Sequence, residues 1–202
     1  MEFGFKRNRI EFTKELSNLD KLVIYFTKIL EKQKIEYVII SGYIAVLFGR
    51  SRETEDVDLF IEEIGQEKFN ALWNELYKNG FECINESNPK RALKEYLENK
   101  LALRFALKET IIPNFEVKFP KTKYNQYSLQ KKITVMLNGN KINTSELELQ
   151  IAFKLKLGSE KDFEDSRHLY KVFKEHLNIN LLKSHIIEFN VEKEAGKVLW
   201  KN

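Results

Sequence analysis

One cysteine, three histidines and three prolines are all the chain has of the residues that staple, ligate or sharply punctuate small folds. With Cys83 alone there is no intramolecular disulfide. His168, His176 and His185 show neither Cys/His clustering nor zinc-ligand spacing, so a structural zinc site is not expected. Long apolar runs are missing too. The longest, such as Leu22 to Phe26, fall far short of the roughly 20 residues that cross a bilayer. The start lacks the basic-then-apolar pattern of a signal peptide, which predicts a cytoplasmic protein without membrane contact. Repeats and low-complexity tracts are also lacking.

What remains is an ordinary globular composition: 202 residues, 43% hydrophobic and 32% charged. A chain of this length folds as one domain, or one domain plus a helical extension, burying about 70% of its unfolded surface. The net charge of +4 favours an anionic partner without demanding one.

Hydrophobic spacing orders the elements. Phe12, Leu16, Leu19, Val23, Phe26 and Leu30 recur at intervals of three and four, predicting an amphipathic helix over residues 12–34. Glu36 to Ile40 reads as a strand, broken by Ser41-Gly42 before a short helix from Tyr43 to Phe48. After a polar loop, Asp56-Val-Asp-Leu-Phe-Ile61 alternates, with Val57, Leu59 and Ile61 on one face and Asp56, Asp58 and Phe60 on the other. Helices are predicted at 66–80 and 89–98, and strands at Leu101–Ala106 and Asn114–Phe119. The latter puts Phe115, Val117 and Phe119 opposite Glu116 and Lys118. Ile133–Leu137 and Lys141–Asn143 straddle Asn138-Gly139-Asn140 as a hairpin. The remainder reads as helical, opened by capping boxes at Ser145 with Glu148 and Ser159 with Asp162. These elements predict an α/β (α+β) fold: a small mixed β-sheet flanked by helices in residues 1–143, and a helical C-terminal portion in 144–202, with a soft boundary.

The chemistry concentrates at Asp56 and Asp58. Carboxylates at i and i+2 of a strand have Cα atoms roughly 6–7 Å apart and point the same way. They repel unless a cation bridges them. A hard ion such as Mg²⁺ takes carboxylate oxygens while keeping positions for water and phosphates, and two ions about 3.5–4 Å apart can clamp an in-line displacement. The plain alternative is the solvated face of an edge strand. Against it, aspartate is depleted in strands, and thirteen residues separate Asp56 from the Ser41-Gly42 turn, whose N–H groups could meet a phosphate.

The run Val38-Ile-Ile-Ser-Gly-Tyr-Ile-Ala-Val-Leu-Phe-Gly-Arg-Ser-Arg-Glu-Thr-Glu-Asp-Val-Asp-Leu-Phe-Ile61 resembles the signature of the DNA polymerase beta-like nucleotidyltransferases. Their pattern is a hydrophobic residue, Gly-Gly or Gly-Ser, a spacer, then Asp-hydrophobic-Asp/Glu-hydrophobic. Ser41-Gly42 reverses the commoner order, and the spacer lies at the long end. Arg52-Glu-Thr-Glu-Asp-Val-Asp58, with Leu147 to Gly158 and Lys161 to Asp165, is similar to the branch of AbiEii-type toxins.

The resemblance implies a nucleotidyltransferase fold that moves a nucleoside monophosphate from an NTP to an acceptor. It implies Mg²⁺ or Mn²⁺ on Asp56 and Asp58 with a third carboxylate, best matched by Glu116, although Glu116 could equally be a solvated glutamate paired with Lys118. Ser41, Gly42 and Arg52 would hold the nucleotide. Lys154, in a narrow polar stripe with Glu146 and Gln150, would contact its phosphates. Asp162 and Asp165 would stand near it, Asp162 having also a capping role. Arg50 flanks the same loop. Lys121, Lys123, Lys131 and Lys132, interleaved with Tyr124 and Tyr127, are compatible with nucleic acid or with a solvated loop. The expected acceptor is RNA, plausibly a tRNA end. The alternatives are a small hydroxyl compound or a protein, or a non-catalytic module binding an antitoxin partner. Cys83 and His168 read as structural.

Overall fold

The computed structural model describes residues 2–200. In chain order its elements are β1 (Gly4–Lys6), β2 (Arg9–Phe12), α1 (Asn18–Lys32), β3 (Tyr37–Ile39), α2 (Gly42–Leu47), β4 (Asp56–Ile61), α3 (Gln66–Lys78) and β5 (Phe81–Cys83). A single turn α4 (Pro89–Arg91) runs into a more widely wound stretch, Ala92–Leu97. Then come β6 (Leu103–Leu107), β7 (Asn114–Lys118), α5 (Lys123–Gln130), β8 (Ile133–Leu137), β9 (Asn140–Thr144), α6 (Leu147–Leu157), α7 (Glu160–Phe173), α8 (Ile179–Phe189) and α9 (Glu192–Val198). The fold is mixed α/β, as the sequence predicts. Among the described residues, no helix is long and apolar enough to cross a membrane.

Among the described residues, nine strands form one mixed sheet in the order β1-β2-β8-β9-β3-β4-β7-β6-β5. At its centre β4 runs antiparallel to β3 and parallel to β7, which places Asp56 beside Asn114 and Asp58 beside Glu116. Side chains alternate across a strand, so Val57, Leu59, Phe115 and Val117 share one face and Asp56, Asp58, Glu116 and Lys118 the other.

Helix α1 covers the apolar face. Ser17 caps it, its Oγ accepting from the Asp20 N–H at 3.0 Å while an Asp20 oxygen accepts from the Ser17 N–H at 2.9 Å. Its buried Phe26 stacks on Phe115 with ring centroids 3.9 Å apart. The helix is shorter than 12–34 because Phe12 belongs to β2, where it is buried.

The C-terminal helices pack on one another and back onto the core. Helix α6 starts at Leu147 without a side-chain cap, so the box expected at Ser145 and Glu148 does not form. The Ser145 hydroxyl donates to Gln150 Oε1 at 3.1 Å instead, and Glu148 accepts from the Asn178 N–H at 2.6 Å. Ser159 does cap α7, accepting from the Asp162 N–H at 3.1 Å. Gly158 ends α6 at φ +78°, a left-handed conformation that glycine adopts without a Cβ penalty.

Candidate active site

β4 brings Asp56 and Asp58 to the polar face, both half-buried, followed by Phe60, which is buried. Lys118, two residues beyond Glu116 on β7, reaches between the strands. Its ammonium lies 2.7 Å from Asp58 Oδ1 and 2.7 Å from Glu116 Oε2. The other oxygen of Glu116 accepts from Arg104 Nε at 2.9 Å and lies 2.8 Å from Arg104 Nη2. Both Glu116 oxygens are therefore engaged. The Asp56 carboxylate has no ion-pair partner among the described residues, and Asp58 keeps one oxygen clear of the lysine.

The electrostatics follow from this packing. Burial raises the Asp58 carboxyl above its ordinary range, with Asp56 and Glu116 adding repulsion, and Lys118 only partly opposes them. Burial works the same way on Glu116, but Lys118 and Arg104 outweigh it and hold that carboxyl below its usual value. Three carboxylates thus meet two cations, leaving excess negative charge centred on Asp56 and Asp58.

That excess fits a hard divalent cation in donor chemistry, since the open groups are carboxylate oxygens on one face. It fits two ligands better than three. Among the described residues no group of three or more His, Cys, Asp or Glu side chains forms a metal cluster. Lys118 Nζ contacts both Asp58 and Glu116 there, each at 2.7 Å.

The turn beside the carboxylates is strained. The Ile40 N–H donates to the Asp58 carbonyl at 3.0 Å, so β3 ends alongside the Asp pair and the chain turns there through Ser41 and Gly42. Ser41 sits at φ +65°, ψ −135°. A non-glycine residue there costs on the order of 1–3 kcal/mol. The buried Gln150 side chain holds it: Oε1 accepts from the Ser41 N–H at 3.3 Å, and Nε2 donates to the Ser41 carbonyl at 3.1 Å. Gly42 lets the Arg52 guanidinium pack against the turn, and a larger residue there would make Arg52 shift. A Cβ there would stand 2.8 Å from Arg52 Nη2 and 3.3 Å from Thr54 Oγ1.

Arg52 ties the turn to the C-terminal helices. Its Nη1 donates to Asp165 Oδ2 at 2.6 Å, and Lys154 Nζ lies 2.9 Å from the same oxygen. Arg50 pairs with Asp165 and with Glu164. Lys154 also donates to Asp162 Oδ1 at 2.7 Å, and Ser159 Oγ to Asp162 Oδ2 at 2.6 Å. Although burial raises the Asp162 carboxyl, Lys154 and Ser159 more than offset this and lower it. Asp165 is fully buried and Lys154 is 2% exposed.

The residues singled out from sequence therefore fall into two groups. Asp56, Asp58 and Glu116 share the sheet face; Arg52, Lys154, Asp162 and Asp165 form a knot bordering Gly42. Ser41 and Gly42 lie between the two. A narrow, partly open pocket lies beside Ser41, lined by Ile40, Ser41, Phe60, Tyr124, Gln150 and Phe153 among others. Lys118 and Gln150 were not expected at the site. Both carried a signal, Lys118 by sharing a strand face with Glu116 and Gln150 by sharing a helix stripe with Lys154. His168, read as structural, bonds the Phe48 carbonyl at 3.1 Å, and Cys83 is buried.

Comparison with known proteins agrees with this architecture. The model of a family described as "Nucleotidyl transferase of unknown function (DUF2204)" matches residues 18–201. No curated protein matches the chain. Among solved structures, an antigenic nucleotidyltransferase-like protein from Paracoccidioides brasiliensis superposes with a TM-score of 0.55 at 20% identity, covering 89% of this chain and 91% of that one. ANT(2″)-Ia in complex with adenylyl-2″-tobramycin gives 0.58 at 12% identity, with 86% and 98% covered. The lincomycin-bound lincosamide antibiotic adenylyltransferase LnuA gives 0.51 at 15%, with 79% and 99% covered. At these identities the likeness is one of fold.

Proposed function

The chain belongs to the family of nucleotidyl transferases of unknown function, and from that membership we propose that the face bearing Asp56 and Asp58 moves a nucleoside monophosphate from an NTP to an acceptor hydroxyl. The acceptor oxygen bonds to the α-phosphorus as the bond to pyrophosphate breaks. The observation that carries the reading is the pair of half-buried carboxylates, one without an ionic partner among the described residues, beside a strained turn at the end of the neighbouring strand.

Asp56 and Asp58 would hold Mg²⁺ or Mn²⁺. When bound, such an ion supplies charge stabilisation and orientation for the phosphates. In the Ser41-Gly42 turn the Gly42 N–H would face the triphosphate, the Ser41 N–H being held by Gln150 Oε1. Arg52 is the nearby cation, and Lys154, buried and paired with Asp162 and Asp165, would steady that side of the site. Asp165 and Asp162 act on the nucleotide indirectly, by fixing Arg52 and Lys154. The motifs at Arg52 to Asp58 and at Lys154, Asp162 and Asp165 support the finer assignment to the AbiEii-type branch.

We take RNA as the acceptor, on net charge and on exposed Lys121 and Lys131 flanking α5. Lys123 and Lys132 contribute less, being paired with Glu188 and Glu36. A small hydroxyl compound is the second reading, favoured by the fold shared with LnuA, a lincosamide antibiotic adenylyltransferase solved with lincomycin, and with ANT(2″)-Ia, solved with adenylyl-2″-tobramycin. Purified protein incubated with each radioactive NTP, Mg²⁺ and total RNA decides between them. Label on RNA, weakening steeply with salt, supports the first reading. Pyrophosphate release only when a small hydroxyl compound is added supports the second. A chain that binds no NTP with either metal is neither, and the interaction module takes their place.

A further inference from the structure

A lysine ammonium lies on the reacting face of the sheet, where charge balance would otherwise call for an ion. We propose that Lys118 is the second cation of this site: it stands between Asp58 and Glu116, so that the Asp56/Asp58 pair takes one divalent ion with bound nucleotide rather than two. The inference rests on the transferase reading above.

The register makes the contact. In the parallel β4–β7 pair Asp58 lies opposite Glu116, and Lys118 follows two pairs further on, opposite Phe60, on the same face. Its side chain folds back along the strands to put Nζ 2.7 Å from an oxygen of each carboxylate. A solvated strand lysine would extend into water, whereas this side chain is 27% exposed. The two acids it bridges come from different strands, as do the ligands of a bridging metal ion. Glu116 is also fixed from its far side by Arg104, so it cannot turn toward an ion without breaking two ionic contacts. The oxygens that remain, both of Asp56 and one of Asp58, are enough for one ion that shares its other positions with phosphate and water.

A fixed ammonium differs from a metal ion in consequence. It cannot take oxygen ligands or exchange with solvent, and it puts a single positive charge on the Glu116 side of the face. Occupancy by one ion then depends on Asp56 more than on Glu116.

The test counts ions instead of product. The full chain is titrated with Mn²⁺ in the presence of nonhydrolysable α,β-methylene analogues of the common NTPs, each in turn, and bound Mn²⁺ is followed by electron paramagnetic resonance. Two ions at about 3.5–4 Å couple magnetically and broaden the signal; one does not. We expect one uncoupled Mn²⁺ per chain in the wild type and in Lys118→Arg. Lys118→Met should bind two, with a coupled signal. Two coupled ions in the wild type overturn the inference and leave the transferase reading standing, and this count needs no variant. One ion in both wild type and Lys118→Met also overturns it. No bound ion in the wild type with any analogue removes the transferase reading and the inference with it.

Discussion

Two clusters of charge lie on either side of the Ser41 turn, and they are balanced differently. In the knot, Asp162, Glu164 and Asp165 meet Arg50, Arg52 and Lys154, three anions against three cations. On the sheet face, Asp56, Asp58 and Glu116 meet only Lys118 and Arg104. The first is electrically complete and the second is not. A complete buried network holds chain segments together, here the loop around Arg52 and helices α6 and α7. An incomplete one is held in place by the surrounding fold and gains by binding a cation. On the proposed reading the same residue types serve positioning in one place and chemistry in the other.

The largest effect expected from this contrast is on stability. Asp165→Ala removes the carboxylate that Arg50, Arg52 and Lys154 share, leaves Arg52 without its ionic partner under cover, and should destabilise the protein by about 3–5 kcal/mol, read by denaturant unfolding. Asp58→Asn in metal-free buffer should leave the midpoint unchanged or raise it, because it removes repulsion. Equal losses in the two variants would erase the distinction between the clusters.

Metal should separate them next. Mn²⁺ and nucleotide at a hundredfold excess over the dissociation constant stabilise a single-site protein by about 2.7 kcal/mol. That shift should vanish in the Asp56→Asn/Asp58→Asn double variant. If it survives there, the ion binds elsewhere.

A smaller effect is expected at the turn between the clusters. Glycine takes the Ser41 conformation freely, so Ser41→Gly should stabilise by about 1 kcal/mol, the released strain being partly offset by the greater freedom of glycine in the unfolded chain. Gln150→Ala should destabilise the wild type more than it destabilises Ser41→Gly. An unchanged or less stable Ser41→Gly would show the turn to be relaxed.

The smallest effect is a pH dependence of opposite sign in the two clusters. Asp162 is held below its ordinary value, so its contribution is full above the unfolded value and is lost as pH falls through the folded one. Asp58 is raised, so its side chain favours the folded state most at acid pH, and that contribution is lost as pH rises from the unfolded value through the folded one. In metal-free buffer Asp162→Asn should reduce the acid-side loss of stability and Asp58→Asn should steepen it. Matching profiles would contradict the assigned directions.

Much of this arrangement was legible in the sequence because it depends on local periodicity. The alternation through Val57, Leu59 and Ile61 fixes which face carries Asp56 and Asp58, and the stripe of Glu146, Gln150 and Lys154 anticipates a helix with only a narrow polar strip. What escaped depends on pairing between distant segments. The link from Lys118 to Asp58 exists only because β4 and β7 pair in parallel, sixty residues apart. Strands β1 and β2 were not anticipated; β1 is exposed along its length and carries no alternation. Helix α5 read as a basic loop, since only Ser128 in it is buried. The Ser145 box failed because the Ser145 hydroxyl bonds Gln150, which lies on the far side of the first turn and clamps Ser41.

The central claim is that chemistry occurs at Asp56 and Asp58. Its most direct test is pyrophosphate release from NTP with Mg²⁺ and total RNA by wild type, Asp56→Asn and Asp58→Asn, each shown folded by its metal-free thermal midpoint. The account predicts release by the wild type and a fall of at least about a hundredfold in both variants, the scale expected for losing one electrostatic contact to developing charge. Wild-type rates in either variant would contradict it.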